Sequence, residues 1–142
     1  MQVDFDSIKP IYLQIAQAIE DDILLGILCE GQPSYSQLTL SKELGVNPAT
    51  AAKGINLLVT EGILIKERGK SMIVAPGAKQ RLINEKQKDD LSHLATELIT
   101  EAQKIKLPKE AVIALIEQAY KNTNQSLTAN SLNESGGACP VQ

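Results

Sequence analysis

The stretch Leu44-Gly45-Val46-Asn47-Pro48 constrains this chain more than any other, because it stops one helix and starts another almost at once. Gly45 can take the left-handed conformation that ends a helix without steric penalty. Asn47 followed by Pro48 supplies a side-chain cap and then a residue whose fixed φ suits the first helical position. Upstream, Ser36 can cap a short helix carrying Leu38, Leu40 and Leu44. Downstream, the second helix is predicted to reach about Thr60 and end near Gly62. Ala51, Ile55, Leu58 and Val59 form its inward face, and Ala49, Lys53 and Asn56 fall on the opposite side.

Two helices joined by a tight glycine turn, the second outwardly small and polar, have the pattern of a helix-turn-helix. A helix precedes them. Pro10 opens it, and Tyr12, Ile15, Ala16, Ile19 and Ile23 recur at spacings of three and four. Gly26 is its predicted stop, with Gly31 and Pro33 in the loop beyond. Asp21 and Asp22 oppose the dipole at its C-terminus, so that end is expected to fray or to be locally paired. After the second helix come Ile63-Leu64-Ile65-Lys66-Glu67, then Arg68-Gly69-Lys70, then Ser71-Met72-Ile73-Val74-Ala75. Two β-branched stretches around a glycine-centred basic turn read as a hairpin, closed by Pro76-Gly77. In this position a hairpin is a wing.

Charge follows the same division. The whole chain has net charge −3, but residues 1–35 carry one lysine against six acids and residues 36–79 carry six bases against three. On charge alone, an unevenly charged solvated surface is the better explanation. Phosphate binding, however, depends on the local field of the contacting face rather than on the total.

Residues 10–77 resemble the DNA-binding domain of the GntR superfamily of bacterial regulators. Pro10-Ile11-Tyr12-Leu13-Gln14-Ile15 is similar to that family's opening helix, and Gly26-x-Leu28-x-x-Gly31-x-Pro33-Ser34 to the loop that follows. Leu44-Gly45-Val46-Asn47-Pro48-Ala49-Thr50 is similar to its turn and recognition helix. Leu58-x-x-Glu61-Gly62-Ile63-Leu64 and Arg68-Gly69-Lys70 match the helix end and the wing. The chain departs from the pattern at Gln32, Ser36, Ala51, Lys53 and Ser71. Lys53 stands where the family usually has arginine, and lysine cannot make the planar bidentate pair to guanine. The resemblance implies double-stranded DNA as partner. It puts Asn47, Ala49, Thr50 and Lys53 at bases or phosphates, Ser34 and Ser36 at phosphate, and Arg68, Gly69 and Lys70 at the backbone or minor groove.

Residues 78–142 are too few for a large effector domain. Leu91, Leu94, Ala95, Leu98, Ile99, Ala102 and Ile105 form one helical stripe, Pro108 interrupts, and Val112, Leu115, Ile116, Ala119 and Tyr120 form a second. Two helices cannot cover both stripes, so a partner copy is the simplest cover. This resembles the YtrA-like branch, whose short C-terminal region dimerises. The expected fold is therefore mainly α with a small β-hairpin: a winged helix-turn-helix over 1–77, a two-helix dimerisation arm over 78–122, and a disordered tail over 123–142. The expected function is a homodimeric transcriptional regulator on a palindromic operator, a repressor by preference. The alternatives are a winged-helix protein-interaction module and a regulator sensing a small effector at the arm.

Other chemistry is poorly represented. His93 is the single histidine, so no catalytic set forms around it, and neither an enzyme nor a cofactor is expected. Cys29 and Cys139 have no metal or redox spacing, which suits a reducing cytoplasm. The acidic N-terminus does not read as a signal, and no apolar run approaches the roughly 20 residues of a bilayer span. Aromatic residues, 3% of the chain, are too sparse for single-strand stacking.

Overall fold

The computed structural model describes residues 1–67, 69, 71–131 and 139, with the backbone alone for 125–131. Residues 1–83 and Cys139 cluster as one unit, and the described residues from Asn84 onward as a second. Among the described residues no helix is long and apolar enough to cross a membrane.

In the first unit, α1 spans Ile11–Leu24 and buries Ile15, Ala16, Ile19 and Ile23, one stripe at three- and four-residue spacing. Gln14 holds the preceding segment against it: its side chain accepts from the Asp4 N–H at 2.7 Å and donates to the Asp4 and Lys9 carbonyls, both at 2.9 Å. The C-terminus is paired locally, as the two acids suggested. The Asp22 carbonyl accepts from the N–H groups of Ile27 (2.9 Å) and Leu28 (3.0 Å), with Gly26 at φ +80°.

Helix α2, Gln37–Leu44, and helix α3, Pro48–Thr60, are bounded by the predicted caps. Ser36 Oγ accepts from the Thr39 N–H at 3.1 Å, and Asn47 Oδ1 accepts from the Ala49 N–H at 2.8 Å. Gly45 sits at φ +65° between them, and the Ser41 hydroxyl donates to the Val46 carbonyl at 2.7 Å, tying the turn to α2. Helix α3 buries Ala51, Gly54, Ile55 and Leu58. Gly54 takes the place expected of Val59, which is half-buried. It lies where α1 crosses α3: a Cβ there would meet the Tyr12 carbonyl oxygen at 2.9 Å and Ile15 Cγ2 at 3.0 Å. Gly54→Ala would gain about 1 kcal/mol of helix propensity. Overpacking costs about 1–3 kcal/mol, and here the nearest atom is backbone. The expected net result, with the cost at the upper end of that range, is a loss of up to about 2 kcal/mol, read as a lower urea midpoint. An unchanged or higher midpoint would show that the crossing relaxes freely.

The hairpin strands, β1 (Leu64–Lys66) and β2 (Met72–Val74), pair antiparallel with Leu64 opposite Val74 and Lys66 opposite Met72. Leu64 and Val74 are fully buried, which fixes the register, since a one-residue slip would expose both. The loop after α1 pairs with the other edge of β2. Gly31 N–H donates to the Val74 carbonyl, Val74 N–H to Gln32 and Ser34 N–H to Met72, at 2.8, 3.0 and 2.8 Å.

The core does not stop at Gly77. Helix α4, Ala78–Glu85, buries Ala78 and Leu82 in the same cluster as Ile15, Ile55 and Leu58. Its first turn is capped from a distance by Glu30 Oε1, which accepts from the Lys79 N–H at 3.2 Å. Arg81 donates to the Glu61 and Gly62 carbonyls at 2.7 and 3.3 Å, a cation on the C-terminal end of α3. The winged-helix core thus extends past the limit expected at residue 77.

A π-helical stretch, Lys86–Leu91, follows without a break in helical dihedrals, and α5 continues over Ser92–Lys104. Lys106 at φ +56° turns the chain, and the Leu107 N–H donates to the Ala102 carbonyl at 2.9 Å. Helix α6 is Lys109–Ser131, so the helix continues past residue 122, where the arm was expected to end. Asn, Ser and Thr are weak helix formers rather than breakers, and extending an existing helix needs no new nucleus. The cysteines also differ from expectation: Cys29 and Cys139 are joined by a disulfide, despite 110 residues of separation. Sequence distance carries no information about a pair brought together by tertiary structure.

Candidate nucleic-acid interface

The N-terminal half of α3 presents a continuous exposed surface. Ala49, Lys53 and Asn56, at spacings of four and three, lie on its solvent side, with Asn47 exposed at the cap and Thr50 half-buried beside them. Asn47 is committed through Oδ1 to the Ala49 N–H, so its amide NH₂ is the group it can offer outward. Lys53 is not a free-swinging chain. Its Nζ lies 4.0 Å from the centroid of the Tyr12 ring on α1.

Ser36 is exposed at the start of α2, its hydroxyl accepting from the Thr39 N–H and donating to Thr39 Oγ1 at 2.8 Å. The opening N–H groups of a helix lack intrahelical partners and attract anions. Ser34 is placed differently from the sequence expectation. Its N–H is engaged by Met72, and its Oγ is closed off from solvent with no partner among the described residues. Pairing of the 31–34 segment with β2 turns this residue inward, so it is not part of the exposed surface.

Tyr35 braces the entry to α2. Its hydroxyl donates to Asp22 Oδ2 at 2.5 Å, linking this loop to the end of α1. Burial, and then the Asp22 carboxylate that accepts its proton, push the Tyr35 hydroxyl up to about 12. At the hairpin tip Gly69 is exposed at φ +77°, the left-handed region that a tight turn requires. Arg68 and Lys70 lie outside the described residues. Tyr12, Gly54 and Arg81 were not singled out from sequence as supports of this surface. Helix-interior glycine between Lys53 and Ile55 was the available signal for a close crossing.

The second unit carries the apolar residues expected to pair. Ala102 is buried and Val112 half-buried, whereas Leu91, Leu94, Leu98, Ile99, Ile105, Leu115, Ile116 and Ala119 are exposed. Between α5 and α6 lies a groove of about 450 Å³ lined by Ala95, Leu98, Ile99, Ala102, Val112 and Ile116 among others. His93 Nε2 is 3.1 Å from Glu97 Oε1 on the solvated side of α5. No cluster of metal-ligating side chains occurs among the described residues.

No protein-family model matches the chain. Over 86 residues it is 34% identical to the HTH-type transcriptional repressor YtrA of Bacillus subtilis, covering 61% of this chain and 66% of YtrA. Over 78 residues it is 36% identical to the HTH-type transcriptional regulator YurK of the same species, covering 54% of this chain and 32% of YurK. The chain thus spans just under two thirds and about one third of these curated relatives. Among solved structures, a GntR family transcriptional regulator from Listeria monocytogenes aligns with a TM-score of 0.65 at 30% identity, covering 80% of this chain and 98% of that one. These relatives are transcriptional regulators rather than enzymes. With the winged helix-turn-helix and nearly the whole of the Listeria chain matched, this chain belongs to the GntR family of transcriptional regulators and is YtrA-like.

Proposed function

We propose that the protein is a homodimeric repressor that binds a palindromic duplex operator. Helix α3 enters the major groove, with Asn47, Ala49, Thr50 and Lys53 at bases or nearby phosphates. Ser36 and the start of α2 meet the backbone, and Arg68, Gly69 and Lys70 place the wing beside it. Two copies joined through α5 and α6 set half-sites about 34–36 Å apart, one helical turn. The observation that carries this reading is the face of α3: small at Ala49, polar at Asn47 and Asn56, cationic at Lys53, and exposed throughout. An acidic or neutralised face would favour a protein partner instead, whereas Lys53, Arg68 and Lys70 favour DNA. The name of the Bacillus subtilis relative supports repression as the sign of regulation. Action on a chromosome places the protein in the cytoplasm.

Gel-shift titration of wild type, Lys53→Ala, Arg68→Ala and Lys70→Ala over a range of salt tests this directly. Each wing variant is expected to weaken binding to every duplex alike and to flatten the log–log salt slope by about one. Lys53→Ala, with Thr50→Ala, is expected to change which duplexes are recovered by selection from random DNA. If all variants keep the wild-type slope and consensus while remaining folded, the DNA face lies elsewhere.

A further inference from the structure

The side chain at the centre of the exposed α3 face is held by a residue from a different helix. Lys53 Nζ stands 4.0 Å from the Tyr12 ring centroid, well inside the range in which a cation is attracted by a ring face. No ion pair to Lys53 occurs among the described residues. The contact follows from the helix crossing. Gly54, next in sequence, has no side chain to keep the α1 backbone away, and a Cβ there would sit 2.9 Å from the carbonyl oxygen of Tyr12 itself. Tyr12 is half-buried, anchored on one side by the α1–α3 packing and open on the other toward Lys53.

We propose that Tyr12 is a positioning residue for DNA recognition, acting through Lys53 and not by contact of its own. A free lysine has a flexible four-carbon stem and distributes its charge over many rotamers. With the ammonium seated against the ring, the charge is fixed on the α3 face before DNA arrives. Its remaining N–H groups point away from the ring and can still donate. The ring therefore lowers the ordering cost of the contact and narrows the positions from which Lys53 can donate. Tyr12 is in this way a determinant of operator preference located on a helix that does not enter the groove. The proposal rests on the reading that α3 faces DNA.

The test is a double-mutant cycle in the full chain, measured on the duplex that wild type selects from random DNA. Lys53→Gln should weaken binding. Tyr12→Leu should weaken it by about 2- to 10-fold, the affinity equivalent of ordering one long side chain only on binding. Tyr12→Phe keeps the ring and should bind as wild type does. The double variant Tyr12→Leu/Lys53→Gln should bind no worse than Lys53→Gln alone, because the ring has then lost its cation. In DNA-free protein, ring-current displacement of the Lys53 ε-methylene proton resonances should be present in wild type and Tyr12→Phe. Additive losses in the double variant, or a Tyr12→Phe defect as large as that of Tyr12→Leu, would overturn the role of Tyr12 while leaving the DNA face intact. Unaltered binding by Lys53→Gln would instead remove the DNA-facing role of α3 at this position. Should Tyr12→Leu not fold, Lys53 methylene resonances at random-coil positions in wild type would overturn the proposal by themselves.

Discussion

Leu98→Glu should turn the protein into a monomer and lower its affinity for a palindromic duplex by about 100- to 10,000-fold, the range over which linked binding sites reinforce one another. Leu98 lines the α5–α6 groove and is 38% exposed, a neighbour of Ile99 and Ile116, which are 49% and 42% exposed. An apolar stripe left this open on both helices matches what a second copy would cover. A carboxylate introduced there would have to be desolvated without a partner, which costs far more than the lost leucine contact. The winged-helix unit is untouched, so single half-site binding should survive at its weaker intrinsic level. Thr100→Glu, on the other side of α5, is the control and should remain dimeric. Sedimentation equilibrium on both variants decides the matter. A dimeric Leu98→Glu protein that still binds a palindrome tightly would move the interface away from these helices.

The second large effect concerns where the DNA-binding unit ends. A fragment of residues 1–85 should fold as a stable monomer, whereas 1–77 should be destabilised by at least the roughly 2–5 kcal/mol that one large-to-small core change costs. The shorter fragment lacks Ala78, which is completely buried, and Leu82, which is 3% exposed. It also loses Arg81 from the carbonyls at the end of α3 and the helix N-terminus that pairs with Glu30. Against a usual domain stability of about 5–15 kcal/mol, that loss leaves little in reserve. Within the full chain, Leu82→Ala alone should cost about 2–5 kcal/mol. Urea melts of the two fragments, followed by far-ultraviolet circular dichroism, provide the measurement. Equal midpoints would mean that α4 rests on the core without contributing to it.

The features legible in the sequence are those whose causes are local. Ser36, Gly45 and Asn47-Pro48 act within one turn of themselves, so the ends of α2 and α3 fell where the capping residues put them. The hairpin was equally legible, because strand alternation and a glycine turn are short-range patterns. What escaped depends on partners distant in the chain. Gly54 has no hydrophobic signal, yet it lies deeper than Val59, because the α1 backbone occupies its space. Ala78, Leu82 and Ile83 are three apolar residues in an otherwise polar octet, and it is tertiary packing that makes the first two core and leaves Ile83 exposed. Ser34 is polar by type but is turned inward by strand pairing that begins at Gly31. On the candidate interface, the exposed positions of α3 followed from helical periodicity. The Tyr12 support under Lys53 did not, because it arises from the crossing of two helices.

The bond between Cys29 and Cys139 gives the chain a closed covalent circuit. A loop of about 100 cross-linked residues removes about 4.7 kcal/mol worth of freedom from the unfolded chain in the simple entropy treatment, almost all of it independent of native contacts. Here the circuit spans a separation of 110 residues and takes in every element from α2 to α6, leaving only α1 outside it. In the oxidised chain no stretch between Cys29 and Cys139 can extend independently of the rest of the ring, whereas residues 1–28 lie outside it. Reduction opens the ring at one point and returns that freedom to both units together.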